Sequence, residues 1–134
     1  KDLMRLFCSN KKVVFWGKSN EVIRLLQLSD CFIQSSTGKG EGSPIALQEA
    51  MAVGLLCIGS NVAGVKDQLK SFKEFLYMPS SAEELSQKME MAYNLDKDKR
   101  ELIAEALREN AVKNYSLIRE INESEKLLIS IIKK

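Results

Sequence analysis

Short apolar runs alternate along most of the chain with stretches in which apolar residues recur at helical spacing. Val13-Val14-Phe15-Trp16, stopped by Gly17, is rich in β-branched and aromatic residues and predicts a buried strand. Ser19 or Asn20 then caps a helix whose apolar positions are Val22, Ile23, Leu25, Leu26 and Leu28. Residues 31–34, 55–58 and 75–78 predict three further strands. Between them lie a glycine-rich loop at 35–43, a helix at 45–53 that Pro44 opens and Gly54 ends, and a short helix near 65–69. Residues 3–8 look like the tail of an earlier helix. Ser81-Ala82-Glu83-Glu84 matches a capping box that opens a helix to about Leu95, and two more helices follow at roughly 99–114 and 117–132. Strands alternating with helices imply a parallel sheet covered on both faces. The expected class is therefore α/β: a partial Rossmann-like parallel sheet of about four strands, flanked by helices, with C-terminal helices. Residues 1–134 form a single partial domain in this reading, without an internal repeat.

Composition narrows the chemistry more than the fold. At 45% hydrophobic and 28% charged residues, the chain has the make-up of a globular protein. A net charge of +2, with lysines scattered instead of forming a basic stripe, gives no electrostatic case for nucleic acid. The three cysteines, Cys8, Cys31 and Cys57, are widely spaced and odd in number; two sit in apolar runs. They read as small buried hydrophobes in a reducing compartment, and the cytoplasm is the expected location. The chain has no histidine, which removes Ser-His-Asp and Cys-His catalysis and histidine-ligated zinc. Asp96-Lys97-Asp98 superficially matches an Asp-x-Asp metal motif, but it lies between two amphipathic helices, and Asp98 is expected to be a helix cap. No metal site and no cofactor are expected. The C-terminal helix carries Leu127, Leu128, Ile131 and Ile132, expected to pack on the chain's own domain.

In open α/β sheets ligands bind beyond the carboxyl ends of the strands. The loop there with unusual chemistry is Ser35-Ser36-Thr37-Gly38-Lys39-Gly40-Glu41-Gly42-Ser43, which runs straight into a helix N-terminus. Its glycines let backbone approach a ligand closely, and the free N–H groups of the following turn, aligned with the helix dipole, favour an anion. Because Pro44 has no N–H, the donors are Ser43, Ile45 and Ala46, a set suited to a diphosphate. The loop is not a P-loop, since no glycine-lysine pair precedes Ser or Thr at the required spacing. Nor is it the dinucleotide fingerprint, whose third glycine falls one residue later. Glycines alone fit a plain surface loop equally well. Two carboxylates add to the picture. Glu41 lies inside the loop, and Glu49 falls in a largely apolar run of Ile45, Ala46, Leu47, Ala50 and Met51, where a carboxylate needs a partner: ligand hydroxyls or a lysine. Glu101 and Glu109 share the same spacing on an ordinary helix, so spacing by itself proves nothing.

At these residues the sequence resembles the retaining family 4 glycosyltransferases (glycosyltransferase group 1) of the GT-B fold. Glu41-Gly42-Ser43-Pro44-Ile45-Ala46-Leu47-Gln48-Glu49-Ala50-Met51-Ala52 is similar to that family's signature of two glutamates followed by Ala-Met-Ala. Val14-Phe15-Trp16-Gly17, Ser29-Asp30-Cys31-Phe32-Ile33, Gly54-Leu55-Leu56-Cys57-Ile58 and Asn61-Val62-Ala63-Gly64-Val65 resemble its flanking segments, with Leu56 in place of a usual proline and Ala63 in place of a common glycine. The resemblance implies a donor domain that binds a nucleotide-diphosphate sugar and transfers the sugar with retention, without a metal. It assigns Glu41, the catalytic candidate, to hydroxyls of the transferred sugar and Glu49 to the ribose. Gly40, Gly42 and the backbone around Ser43 and Ile45 would hold the distal phosphate, and Trp16, Gly17 and Lys18 would lie beside the base. It also implies a Gly-Arg strand with a nearby lysine that grips the diphosphate, and an acceptor-binding domain before it. This sequence carries neither, so the chain is expected to need the missing N-terminal portion of the same enzyme and to be inactive alone. The C-terminal helix, which in the family reaches back toward the acceptor domain, would then leave its apolar stripe partly uncovered, and the full enzyme can associate peripherally with a membrane. In the strand order 3-2-1-4-5-6, two absent strands would separate Val13–Trp16 from the rest, leaving it at an edge or paired differently. The alternative is a non-catalytic nucleotide-sugar-binding or regulatory module. A sugar-nucleotide epimerase is a third reading, weakened by the missing histidine.

Overall fold

The centre of the molecule is strand β2 (Leu56–Ser60), every residue of which is buried. Its sequence, Leu56-Cys57-Ile58-Gly59-Ser60, presents apolar groups to both faces, as a strand covered on both sides requires. The computed structural model describes residues 12–38 and 42–132. Strand β1 (Cys31–Gln34) pairs with β2 in parallel, with Phe32 opposite Cys57. The two-residue strand β3 (Leu76–Tyr77) pairs on the other side, with Ser60 opposite Tyr77. The order β1-β2-β3 follows the chain, so each crossover carries a helix: α2 (Ile45–Ala52) between β1 and β2, and the short α3 (Val65–Gln68) before β3. Helix α1 (Val22–Gln27) precedes the sheet, and α4 (Ala82–Tyr93), α5 (Lys97–Tyr115) and α6 (Leu117–Ile132) follow it. This is an α/β, Rossmann-like arrangement, as the alternation predicts, with three strands among the described residues where about four were expected.

Packing explains why these segments hold their conformations. Helix α2 turns Leu47, Ala50 and Met51 inward, and α5 answers with Leu107 and Ala111. Each fully buried large aliphatic side chain of this kind contributes about 1.5–3 kcal/mol. Helix α2 ends in a Schellman motif: Gly54 N–H donates to Met51 O at 2.9 Å and Leu55 N–H to Ala50 O at 3.0 Å. Gly54 sits at φ +77°, a conformation only glycine adopts without strain. Gly59 matters for a different reason. A Cβ there would overlap Val65 Cγ1 and press on Leu69 Cδ1 at 3.0 Å, so the missing side chain lets α3 lie directly on the sheet.

The expected helix tail at residues 3–8 lies outside the described residues. Elsewhere the structure departs from the sequence reading at several points. Val13-Val14-Phe15-Trp16 is not a strand: it is exposed and irregular, with Val14 70% and Trp16 65% exposed. β-propensity measures fit to a neighbouring strand, and no described strand lies beside this run. The cap of α5 is Asp96, not Asp98; its carboxylate accepts from Lys99 N–H at 2.8 Å, and that bond holds its pKa below the usual value. The capping box of α4 is half formed. Ser81 Oγ accepts from Glu84 N–H, but the Glu84 carboxylate reaches past Ser81 to accept from Met78 N–H at 2.7 Å. Finally, α6 does not bury its apolar stripe: no residue of the helix is buried, and Leu127, Leu128, Ile131 and Ile132 all face solvent. Amphipathic periodicity shows that a face is apolar, not what covers it.

If Gly59 is the contact point for α3, Gly59→Ala should cost about 1–3 kcal/mol in urea unfolding, the range for overpacking a filled core. Gly42→Ala, where a Cβ would meet nothing within 4 Å among the described residues, should stay within about 0.5 kcal/mol of the parent.

Candidate functional site

The carboxyl ends of β1 and β2 release the chain into the segments that carry the polar chemistry. From β1 the loop starts at Ser35, and two hydrogen bonds shape its first turn. Gln34 Nε2 donates to Ser36 Oγ at 3.0 Å, and Ser36 N–H donates to Ser60 Oγ, also at 3.0 Å. Ser60 is fully buried at the end of β2, so the central strand fixes where the loop leaves the sheet. Gly38 follows at φ +95°, and a Cβ there would come within 3.2 Å of Val62 Cγ1. Only glycine satisfies both the backbone angle and the close approach. Residues 39–41 lie outside the described residues, so Glu41 and Gly40 are not placed.

The loop returns at Gly42 and Ser43 and enters α2. Pro44 is the N-cap, with φ −65° and ψ 113°, and offers no side-chain cap. The first intrahelical backbone bond runs from Gln48 N–H to Pro44 O at 3.3 Å. The amides of Ile45, Ala46 and Leu47 therefore belong to the orphan set at a helix start, and Ile45 and Ala46 are exposed. The role that a capping side chain plays elsewhere is shifted to the residue before the cap. Ser43 Oγ accepts from Gln48 Nε2 at 2.8 Å and from Gln68 Nε2 at 3.0 Å. The first of these ties the position before the cap to the fourth helical residue, a polar counterpart of the hydrophobic staple.

Glu49 lies one turn beyond Ile45, half-buried on the same flank of α2. Among the described residues its carboxylate has no hydrogen bond and no ion pair. The two control glutamates differ: Glu101 is exposed and pairs with Lys97 at 3.7 Å, and Glu109 is exposed. Trp16, Gly17 and Lys18 are all exposed, and among the described residues no bond joins them to α2 or its loop. Ser43, Ile45 and Gln48 also form one wall of a cleft of about 430 Å³, whose other wall is Asn114, Tyr115, Arg119, Glu120 and Glu123. Burial, and then the Asp67 charge, push the Tyr115 phenol up, so it stays a neutral hydroxyl. A second cleft of about 240 Å³ runs from Ser35, Ser36 and Thr37 to Tyr77 and the start of α4 at Ser81.

Several of these groups were invisible to sequence reasoning. Gln68 and Ser60 lie 25 and 24 positions from the residues they hold. Asn110, which donates to Gln68 O at 3.0 Å and accepts from Asn114 Nδ2 at 2.8 Å, is 42 positions from Gln68. No local spacing carries such pairings. Cys57 behaves as the sequence suggested: it is buried, its thiol faces Leu55 O, and burial pushes its pKa up.

Comparison with known proteins gives this geometry a family. The model described as Glycosyl transferases group 1 matches residues 2–110, and the chain belongs to that family. Over 66 residues, 46% of the chain, it is 36% identical to the UDP-Gal:alpha-D-GlcNAc-diphosphoundecaprenol alpha-1,3-galactosyltransferase of Escherichia coli. A crystal structure of a glycosyltransferase from Rickettsia africae ESF-5 superposes on the whole chain with a TM-score of 0.87 at 25% identity. The catalytic domain of cholesterol-alpha-glucosyltransferase from Helicobacter pylori shares the fold over 87% of the chain, with a TM-score of 0.69 at 22% identity. The chain spans 16% of the E. coli relative, 36% of the Rickettsia chain and 74% of the Helicobacter chain. No helix among the described residues is long and apolar enough to cross a membrane.

The tether from β2 to the loop has a measurable signature. Ser60→Ala should cost about 1 kcal/mol, the usual net worth of one such hydrogen bond. In NMR exchange experiments it should speed solvent exchange of the Ser36 amide roughly fivefold, with the amides of Phe32 and Ile33 unchanged.

Proposed function

We propose that this chain supplies part of the donor site of a retaining glycosyltransferase, which moves a sugar from a nucleotide-diphosphate sugar to a glycan or lipid acceptor. The observation that carries the reading is the start of α2. The amides of Ile45 and Ala46, beside the Ser43 hydroxyl, and the half-buried Glu49 carboxylate, one turn further on, have no partner among the described residues. Amides and the helix dipole are the groups this chain offers to a departing diphosphate, whose developing charge they stabilise as the anomeric carbon becomes oxocarbenium-like. In this reading the backbone of Gly42, Ser43 and Ile45, with Gly40, holds the distal phosphate. Glu49 accepts from the ribose hydroxyls, Glu41 from hydroxyls of the transferred sugar, and Trp16, Gly17 and Lys18 lie along the base.

The chain in this proposal is the C-terminal, donor-binding part of a longer two-domain enzyme. The E. coli and Rickettsia relatives are several times its length, and the acceptor would be held by the portion outside these residues. Turnover therefore needs that portion, and the isolated chain binds donor weakly. The E. coli relative acts on UDP-Gal by its name, so a uridine nucleotide comes first among the donors to test.

Titration of the chain with UDP, GDP and ADP by NMR checks the reading. At least one should perturb the Ser43, Ile45 and Ala46 amides with weak, saturable binding. Glu49→Ala should weaken that binding about tenfold or more, as expected for losing hydrogen bonds to a charged group, whereas Glu101→Ala should leave it unchanged. Equal loss from both substitutions, or no nucleotide that perturbs α2, would defeat the reading.

A further inference from the structure

Among the described residues, Gln68 is the buried polar side chain that reaches the start of α2. It is 2% exposed. Its backbone is fixed: Asn110 Nδ2 donates to Gln68 O at 3.0 Å, and Gln68 N–H donates to Gly64 O at 3.1 Å. Its carboxamide nitrogen donates to Ser43 Oγ at 3.0 Å. Its carboxamide oxygen is buried and has no hydrogen-bond partner among the described residues. Burying a polar head and leaving half of it open is costly, and such groups call for an explanation.

The explanation lies in what the contact does to Ser43. A hydroxyl has one proton to give and two lone pairs with which to accept. Gln48 Nε2 and Gln68 Nε2 both donate to Ser43 Oγ, so both lone pairs are taken. The remaining proton can only be donated, and Ser43 is exposed at the start of α2, beside the amides of Ile45 and Ala46, which have no partner among the described residues. We infer that Gln68 is a positioning residue of the donor site: with Gln48, it holds the Ser43 hydroxyl as a fixed donor, which joins the α2 amides in binding a phosphate group. The inference rests on the proposed phosphate site and adds a residue to it. The orientation of the amide is decisive. Turned over, its oxygen would accept the Ser43 proton, and the hydroxyl would be closed to the ligand.

Inorganic pyrophosphate is the probe, because it needs neither base nor sugar. In the 134-residue chain, pyrophosphate should shift the Ser43, Ile45 and Ala46 amides together with the Gln68 side-chain NH2 pair, while the pairs of the exposed Gln27 and Gln87 stay in place. Ser43→Ala should weaken pyrophosphate binding about tenfold, the scale of one hydrogen bond to a charged group. Gln68→Met, close in length and apolar, should weaken it about three- to tenfold. The double variant should bind no worse than Ser43→Ala, because Gln68 acts only through that hydroxyl. A purely structural role for Gln68 would instead give additive losses. Additive losses overturn the inference, as does unchanged or tighter binding in Gln68→Met. If Gln68→Met does not fold, the parent chain still decides: Ser43 amides that move without the Gln68 NH2 pair overturn it. Pyrophosphate that leaves α2 unperturbed in the parent chain defeats the phosphate site itself, a failure distinct from that of Gln68.

Discussion

The complete burial of one strand organises this protein. With all five residues of β2 covered, every neighbouring element is positioned by what it lays on that strand. Helix α3 rests on Gly59, β1 pairs along its first four residues, and Tyr77 closes its far end. The strand finishes on Ser60, a hydroxyl with no exposure, which reaches across to the amide of Ser36. The point where the glycine loop leaves the sheet is thus set by a fully buried residue of the central strand. The proposed phosphate site would draw on that fixed geometry, since amides aimed at an anion gain most when they need not reorganise.

The polar groups near α2 form a connected chain, not a scatter. Gln48 and Gln68 meet at Ser43; Asn110 holds the backbone of Gln68; Asn114 holds Asn110; and Arg119 Nη1 donates to Asn114 Oδ1 at 3.2 Å and to Lys113 O at 2.9 Å. The seam runs from the start of α2, along α5, to the corner where α6 begins. In a partly desolvated setting such bonds polarise one another and reinforce a single arrangement. The start of α2 and the α5–α6 corner are therefore held in register by side chains from separate segments, and an arginine ends the series.

How much of this could be read from the chain depended on the range of the interactions. Where a segment's own pattern decided its state, the reading held: β1, β2, α2 with its glycine stop, and the last three helices all lie within a few residues of their expected bounds. Where a partner decided, it failed. Val13–Trp16 has strand composition but no described strand beside it, and α6 has an apolar stripe but no cover among the described residues. Asp96 and Asp98 are equally good caps in isolation; the register in which α5 begins, with Lys99 N–H three residues after Asp96, selects the first. The site divides the same way. The helix start that gathers Ser43, Ile45 and Glu49 is legible because a glycine loop meeting a helix is a local event; their part in binding belongs to the proposed function. Gln68 reads as an ordinary polar residue of a short helix until folding buries it.

The exposure of Trp16 has a practical side. It is the chain's single tryptophan, and it stands in solvent on a segment with no regular structure. An indole already surrounded by water emits at long wavelength whether or not the sheet is intact, so its fluorescence is nearly silent about loss of the core. The optical reporters of that core are the buried Tyr77 and the partly buried Tyr115, which sit in the third strand and at the end of the longest helix. For this protein, the usual spectroscopic gauge of folding watches the periphery, and the phenols watch the centre.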